Sequence, residues 1–287
     1  FTPVPGYEEA VTGTLRASDS WSDLTCRAVV RYQINDAAKT FLSYSTGYKS
    51  CGFDSLEPST SDNPLDPEES TNYEWGIKGD FFNRRLVTEF ALYYMEIDGR
   101  QRSVYSKPPG QANATPIVIN GDQEFTGAEI ILNWLITDTM QLGFLTTWRD
   151  EESTWEPFYN AAGELVVDTT SNTADLDYTF TFDWYPQISK GRLDLRAEYI
   201  FYENSILDDP TIIHPAVKGY GEDRELLNAR AAWTTDDGKW TFGIWGKNLL
   251  DNEVTSGVDN LTLASFGTPF VRIEPPRTWG IEAAYNF

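Results

Sequence analysis

Apolar and polar side chains alternate one by one along most of the chain, which is the period of a β-strand with two different faces. From Leu193 to Tyr202 the odd positions are apolar, whereas Asp194, Arg196 and Glu198 occupy even positions. The same alternation recurs in Tyr178–Trp184, Cys26–Gln33, Thr40–Tyr48, Tyr73–Phe82, Leu86–Ile97, Ala128–Leu135, Gln141–Trp148, Leu227–Trp233, Trp240–Lys247 and Trp279–Phe287. The pattern therefore predicts about eleven strands.

The predicted connections between these strands alternate in length. The short ones are the turns Asn35–Ala38, Asn83–Arg85, Thr137–Thr139, Ile188–Gly191 and Asp236–Gly238. The long ones are the polar segments Ser50–Ser70, Gly99–Thr115, Asp150–Ala174, Glu203–Arg224 and Leu250–Pro276. Outer-membrane barrels have this arrangement, with short periplasmic turns and long extracellular loops. The sequence therefore predicts an all-β fold, an antiparallel transmembrane β-barrel.

A soluble all-β protein is the alternative, with one strand face in a core and the other in solvent. Such a protein has no need for every second connection to be long. Trp and Tyr near the strand ends are typical of a barrel in a membrane, because their rings sit at the level of the lipid head groups. We therefore favour the barrel.

Charge and composition narrow the set of partners. The 287 residues include 44 Asp and Glu against 22 Lys and Arg, which gives a formal charge of −22. Nucleic acid is excluded as a partner, because a polyanion is repelled by such a surface. Aromatic residues make up 14% of the chain, which argues against disorder because disordered acidic chains are poor in them.

Acidic residues concentrate in two of the predicted loops. Ser50–Ser70 and Asp150–Ala174 each carry six acids and no base. Carboxylates are the ligands that Ca²⁺ prefers, so a structural Ca²⁺ at these loops is one interpretation. The other is solvated charge that hydrates the surface. A field of this sign would also steer neutral or cationic ligands toward the mouth of a barrel.

Catalytic chemistry has little support in the sequence. His214 is the single histidine and precedes Pro215 in a predicted loop, and no Ser or Cys has a base arranged beside it. Met95 and Met140 both lie in predicted strands and form no soft-metal cluster. We therefore expect no enzyme, no catalytic residue and no cofactor.

Cys26 and Cys51 form the one candidate disulfide. A hairpin that turns at Asn35–Lys39 places Cys26 opposite a residue near Tyr48, so Cys51 lies a few residues beyond. A bond needs Cα atoms roughly 4.4 to 6.8 Å apart, and an oxidising compartment would permit it. Sequence alone leaves the bond and two thiols as equal alternatives.

The final predicted strand carries the most specific signal. Trp279, Ile281, Tyr285 and the terminal Phe287 fall on one face of it, which resembles the C-terminal signal for insertion of outer-membrane proteins. Further motifs are Trp240–Asn252, with its Asn-Leu-Leu-Asp corner, Pro276–Ile281, Tyr44–Phe53, Leu65–Glu68, Tyr73–Lys78, Asn120–Gly121 and Thr126–Glu129. In this order they resemble the C-terminal half of the β-barrel of TonB-dependent outer-membrane receptors.

The resemblance implies a barrel of 22 strands around an N-terminal plug. We therefore expect residues 1–287 to be the C-terminal part of one such barrel, with its plug, its TonB-binding segment and its first strands outside this sequence. Residues 1–20 would be an extracellular loop, and residues 21–287 strands with short periplasmic turns and long extracellular loops. Cys26 and Cys51 depart from the family, which often has Gly at both positions.

The function that the resemblance implies is TonB-dependent active transport across the outer membrane, most often of a ferric siderophore or similar chelate. The implied partners are outer-membrane lipid and lipopolysaccharide, TonB-ExbB-ExbD through the absent N-terminal part, the barrel assembly machinery and a small-molecule ligand. Haem would need His214 as its axial ligand. Cobalamin or a glycan as substrate, a passive porin, and a surface adhesin remain alternatives.

Aromatic residues near the loop bases are candidates for ligand contact. They could equally belong to an interfacial belt or pack within the loops. These candidates are Trp148, Trp155, Phe158, Tyr159, Tyr202 and Tyr220.

Overall fold

The computed structural model describes residues 20–52, 65–111, 114–160, 163–169, 175–203, 223–259 and 270–287. Of the loop predicted for residues 1–20, only Ser20 falls within this part of the chain, and His214 and Tyr220 fall outside it. Among the described residues, no helix is long and apolar enough to cross a membrane.

One large antiparallel sheet contains most of the described residues. Eleven of its strands follow one another as neighbours, and a short strand, β10, pairs with β11 beside this path. Two separate hairpins, β7 with β8 and β14 with β15, lie in the longer connections. The strands are β1 (Arg27–Asn35), β2 (Ala38–Lys49), β3 (Glu68–Phe81), β4 (Leu86–Ser106), β5 (Thr115–Thr137), β6 (Met140–Trp155), β7 (Phe158–Tyr159), β8 (Leu165–Val166), β9 (Leu176–Trp184), β10 (Gln187–Ile188), β11 (Gly191–Tyr202), β12 (Arg224–Thr234), β13 (Trp240–Lys247), β14 (Thr255–Asp259), β15 (Phe270–Ile273) and β16 (Thr278–Tyr285).

The eleven neighbouring strands confirm the prediction from alternation. Each contains most of one predicted stretch, and the connections at one end of the sheet are the predicted short turns. We call this end the turn end and the opposite end the loop end. At the turn end, the β3–β4 connection is tight enough to hold Phe82, Asn83 and Arg84 in the left-handed region, with φ of 52°, 57° and 66°.

Strand pairing sorts the side chains onto two faces, which we call the apolar face and the polar face. On β9 and β11, Phe182 pairs with Ala197 and Phe180 with Tyr199 on the apolar face, while Asp183 pairs with Arg196 on the polar face. The same separation continues from β1 to β16, because successive side chains of a strand point to opposite sides.

The apolar face has no protein layer over it in the described structure. Leu42, Trp75, Phe242 and Ile281 are among its large exposed side chains. In contrast, the buried hydrophobic cluster contains just four residues, all near the loop end. Such an extended exposed apolar surface is foreign to a soluble monomer. The soluble alternative therefore fails, and the surface suits contact with lipid.

The loops predicted for Gly99–Thr115 and Asp150–Ala174 are shorter in the structure. β4 continues to Ser106, β5 begins at Thr115 and β6 continues to Trp155, so these three strands extend well beyond their neighbours at the loop end. A register shift between Ile97 and Arg100 accommodates the extension on β4. Backbone pairing continues there through polar sequence, because the hydrogen bonds of a ladder do not depend on a hydrophobic face.

The cysteine register also differs from the prediction. Thr46, rather than a residue near Tyr48, faces Cys26: its N–H donates to the carbonyl oxygen of Cys26 at 3.0 Å, and its Oγ1 accepts from the Cys26 N–H at 3.0 Å. The hairpin is tighter than expected, since Asn35 already pairs with Ala38. Cys26 is exposed, Cys51 is buried, and both are thiols in the structure.

The C-terminal strand has the predicted one-sided arrangement. Within β16, Trp279, Ile281 and Tyr285 lie on the apolar face, because they pair with Gly246, Ile244 and Trp240 of β13. The Tyr285 ring contacts the Trp240 ring at 4.7 Å and the exposed Phe287 ring at 5.2 Å between centroids. Their role as an insertion signal stays a prediction.

The Asn-Leu-Leu-Asp corner after β13 is joined to the start of β16. The Asn248 side chain donates to the carbonyl oxygen of Asn252 at 2.9 Å and accepts from its N–H at 3.1 Å. Asp251, at φ 61°, pairs with the Arg277 guanidinium at 2.9 Å just before β16. The corner therefore fixes the entry of the final strand.

Candidate functional site at the loop end of the polar face

The extensions of β4, β5 and β6 bring a set of side chains together on the polar face at the loop end. Arg100 pairs with Gly121, and Gly121 pairs in turn with Trp155. Two positions further along β4, Arg102 pairs with Ile119. A Cβ on Gly121 would lie 2.5 Å from the Trp155 ring, so only glycine lets that ring lie against β5.

A small hydrophobic cluster covers this surface. Val104, Ile119, Trp155 and Phe158 are each at least 96% buried, and Ile117 and Val166 pack against them. Phe158 and Val166 belong to the β7–β8 hairpin, which therefore lies against β4 and β5. A main-chain hydrogen bond also connects the hairpin to the end of β4, since the Lys107 N–H donates to the carbonyl oxygen of Tyr159 at 2.9 Å.

A buried ion pair ties the chain beyond β8 to β4. The Arg102 guanidinium donates to Asp168 Oδ2 at 2.9 Å, with the Asp168 side chain fully buried and that of Arg102 15% exposed. The guanidinium carbon lies 4.9 Å from the Trp155 ring centroid, in cation–π contact. In addition, the backbone N–H of Trp155 donates to the carbonyl oxygen of Asp168 at 3.0 Å. We call Arg102, Trp155 and Asp168 the latch.

A buried polar network lies next to the latch, toward the turn end. Gln123 Nε2 donates to Glu151 Oε1 at 2.6 Å and to Ser153 Oγ at 2.9 Å, and its Oε1 accepts from Arg100. Ser153 donates to the same Glu151 oxygen at 2.7 Å. The network supplies partners to a carboxylate that would otherwise be buried at high cost.

Asn120 of β5 joins two connections to the bulge in β4. Its Nδ2 donates to the carbonyl oxygens of Asp66 at 3.2 Å and Gly99 at 2.6 Å, and its Oδ1 accepts from the Asp66 N–H at 3.2 Å. Its own N–H donates to Glu156 Oε2 at 2.9 Å. The connections after β2 and β6 are therefore fixed to the bulge in β4.

Ion pairs between neighbouring strands line the polar face below this site. Arg149 of β6 pairs with Asp177 of β9 at 2.9 Å, and Arg196 of β11 pairs with Asp183 of β9 at 3.3 Å. Side chains of both charges lie on this face, as the strand register shows. These are Arg27, Arg31, Glu74, Lys78, Glu89, Glu129, Asp194, Arg196, Glu198, Arg230, Lys247 and Glu282.

The predicted ligand-contact residues fall into different surroundings. Trp155 and Phe158 are buried in the cluster, and Tyr159 is half-buried in the hairpin. Tyr202 ends β11 on the polar face, 39% exposed. Trp148 pairs with Ala128 and Leu176 on the apolar face, an orientation that suits the interfacial belt rather than a ligand. A ligand contact is therefore not supported for Trp148, and for the other five it stays a prediction.

Sequence reasoning missed the polar members of the site. Arg100 and Arg102 lie in a segment predicted as loop, and Gln123 lies between it and the next predicted strand, so the sequence pattern did not place these side chains on one face. The signal that could have found them is the continuing alternation Arg100, Arg102, Val104. No group of three or more His, Cys, Asp or Glu side chains among the described residues could hold a metal ion, and structural Ca²⁺ stays a prediction.

Together, the two-faced sheet and its loop-end site define the wall of an antiparallel β-barrel. The family described as TonB dependent receptor-like, beta-barrel, matches residues 6–249. The chain belongs to this family, which confirms the resemblance seen in the sequence motifs.

Known relatives agree with this assignment. The ferripyoverdine receptor of Pseudomonas aeruginosa is 27% identical over 139 aligned positions, covering 44% of this chain and 16% of that receptor. The solved ferric yersiniabactin uptake receptor of Yersinia pestis matches with a TM-score of 0.65 at 15% identity, covering 91% of this chain and 37% of that one. The ferric preacinetobactin receptor of Acinetobacter baumannii matches with a TM-score of 0.64 at 16% identity, covering 92% and 36%. This chain spans well under half the length of each relative.

Proposed function

We propose that the chain forms part of the barrel of a receptor that takes up a ferric siderophore or similar chelate across the bacterial outer membrane, driven by TonB. Two observations carry this proposal together: the two-faced wall of eleven strands, and the match of residues 6–249 to the receptor family. Its apolar face would contact lipid, and its polar face would line the passage.

The cargo is proposed from the relatives together with the site. The three relatives described above are all receptors for ferric siderophores by name. At the loop end of the polar face, arginines and aromatic rings converge on three long strands. Those side-chain types suit a chelate, which is a large ligand with both charged and planar groups.

Two features of the sheet support the view that further strands complete the barrel. Within the described residues, β1 pairs with β2 alone and β16 with β13 alone. An unpaired strand edge is unfavourable in lipid, because no water satisfies its backbone groups. In the proposed receptor the remaining strands would cover both edges, and an N-terminal plug would contact TonB-ExbB-ExbD.

Uptake by cells tests the proposal. The gene for the whole receptor is expressed in a host that lacks its own siderophore receptors, with and without TonB, and ⁵⁵Fe-labelled ferripyoverdine, ferric citrate and a ferric catecholate are supplied in turn. Iron accumulation that requires both the receptor and TonB supports the proposal. Uptake that is unchanged by loss of TonB would instead indicate a passive porin.

The remaining alternatives give different results in the same cells. Labelled cobalamin or a labelled oligosaccharide that accumulates while iron does not would assign the alternative substrates. An adhesin would accumulate none of these compounds. The empty expression vector is the control for leakage.

A further inference from the structure

We propose that Arg102 is a binding residue for an anionic oxygen group of the ligand, and that Asp168 occupies its guanidinium while no ligand is bound. The inference rests on the proposed function and deepens it, because it names the chemistry that the loop-end site selects. That chemistry is a carboxylate or catecholate oxygen pair, which matches the planar fork of an arginine.

The two partners of the ion pair differ in how firmly the fold holds them. Arg102 lies within β4 and is paired with Ile119 of β5, between further paired residues on both sides. Asp168 lies beyond the two-residue strand β8, where the backbone belongs to no strand. The Asp168 main chain is held to β6 where its carbonyl oxygen accepts from the Trp155 backbone N–H at 3.0 Å, whereas Arg102 lies inside a continuous ladder, so we take the carboxylate as the displaceable partner.

The indole N–H of Trp155 is a second hydrogen-bond donor at this site. Its indole Nε1 is buried and has no hydrogen-bond acceptor among the residues that the structure describes. Buried donors of this kind are nearly always satisfied, so such a group in a native protein calls for an explanation. The ring lies 4.9 Å from the Arg102 guanidinium carbon. We therefore infer that this N–H is the second donor of the site.

Electrostatic repulsion explains why the ligand anion would replace Asp168 rather than bind in addition to it. Glu151 and Asp168 are buried at this site, and Glu156 bonds to Asn120 beside it. An extra anion would be repelled by these carboxylates. If the ligand anion replaces Asp168, the number of charges around Arg102 is unchanged and the guanidinium stays paired, which avoids the large cost of an unpaired buried charge.

Binding thus competes with the latch. Because the ligand must displace Asp168, the apparent Kd of the ligand equals its intrinsic Kd divided by the fraction of molecules in which Asp168 has already left Arg102. The released carboxylate carries the chain beyond β8 away from β4. Occupancy of the site would then be signalled by loosening of residues 163–169.

Binding to the whole receptor in detergent tests the inference. Iron(III) citrate is the anionic probe and a neutral iron(III) trihydroxamate is the charge control, both titrated by calorimetry. For D168N we expect the Kd for iron(III) citrate to fall about threefold to tenfold, because the latch no longer competes. For R102Q we expect it to rise at least about tenfold, and the double variant R102Q/D168N should stay as weak as R102Q.

Matched controls lie at the other end of the wall. Arg192 and Asp194 form a 2.9 Å ion pair beside the turn end of β11, so R192Q and D194N repeat the two charge changes away from the site. Neither should alter the Kd. Heat-modifiable migration of the barrel on a gel verifies folding, and R102K, which keeps the charge but loses the planar fork, replaces R102Q if that variant does not fold.

Charge selectivity separates ligand binding from a structural role. We expect D168N and R102Q to change the ratio of the two Kd values in opposite directions, and hydrogen exchange of residues 163–169 to rise when iron(III) citrate binds to the wild type. The inference is overturned if D168N weakens binding of both chelates, or if iron(III) citrate does not bind to D168N. TonB-dependent iron uptake by the wild type would in that case still support the proposed function.

Discussion

Glu282 of β16 reaches across Gly243 of β13 to pair with Arg230 of β12, two strands away. The crossing depends on the glycine, since a Cβ at position 243 would lie 2.5 Å from Glu282 Oε1 and 2.8 Å from its Cγ. The final strand is therefore connected to β12 on the polar face as well as to β13 through its backbone.

Gly243→Ala should remove this connection at modest cost. The Glu282 side chain can swing aside, and both partners are more than a third exposed, so we expect a loss of about 0.5–1 kcal/mol in the free energy of unfolding. Urea unfolding of the barrel measures it. Glu282→Gln made in the Gly243→Ala background should cost almost nothing further, and a fully additive loss would show that the two residues do not interact.

Phe158→Ala should loosen the loop-end cluster without unfolding the wall. Phe158 is 2% exposed, and it contributes a large share of the four-residue cluster. Truncating such a buried side chain costs about 3–5 kcal/mol when the surroundings cannot collapse. We expect this cost to exceed the free energy that holds the β7–β8 hairpin against the sheet. We expect faster hydrogen exchange in residues 158–160 and 163–166, and unchanged exchange in β11–β13.

Phe242→Ala is the matched control for that measurement, because Phe242 is 44% exposed on the apolar face. It should leave exchange at the loop end as it is in the wild type. Equal exchange in Phe158→Ala and wild type would contradict the role of the cluster in holding the hairpin.

Much of the wall follows from sequence because its signal is local. The alternation in β9 and β11 places Phe180 and Arg196 on opposite faces before any pairing is known. The strand order is equally accessible, since short turns force consecutive strands to be neighbours. These local rules account for the eleven strands and for the mixed charges of the polar face.

The loop-end site could not be predicted by the same rules. Arg102 and Asp168 are 66 residues apart, and no period or spacing relates them. Likewise, the contacts of Asn120 with the connection after β2 and with the bulge in β4 are identified only when the carbonyl oxygens of Asp66 and Gly99 are placed. The partner of Cys26 could not be predicted exactly for a simpler reason. The first hairpin turns more tightly than predicted, so Thr46 faces Cys26 in place of a residue near Tyr48.

Acid should weaken the turn between β12 and β13. Asp237 Oδ1 accepts from Thr235 Oγ1 at 2.6 Å and from the Lys239 N–H at 3.1 Å, and these hydrogen bonds, that of Thr235 first, hold the pKa of Asp237 below its ordinary value. A carboxylate whose pKa is lowered by folding contributes stability above its unfolded pKa, and this contribution is lost as the pH falls through the folded pKa.

Hydrogen exchange of the Lys239 amide, corrected for intrinsic rates, measures this effect. Protection should be constant from neutral pH down to about the unfolded pKa of an Asp, near 3.9, and should decline below it. Asp237→Asn should abolish the pH dependence of protection, whereas Asp236→Asn should preserve it. Protection that declines equally in both variants would mean that another group controls the turn.

Ile130 and Ile131 give a direct test of the two faces, because the same residue type occupies adjacent positions of β5. Ile130 pairs with Phe90 and Thr146 on the apolar face, and Ile131 pairs with Glu89 and Leu145 on the polar face. A lysine at the apolar position would be exposed to hydrocarbon, at a cost of about 2–4 kcal/mol near the middle of the bilayer. At the polar position it would face water and Glu89, and we expect a change of less than about 1 kcal/mol. Unfolding of Ile130→Lys and Ile131→Lys from phospholipid vesicles compares the two. Equal losses would show that β5 does not separate lipid from the passage, and with it the assignment of the two faces would fail.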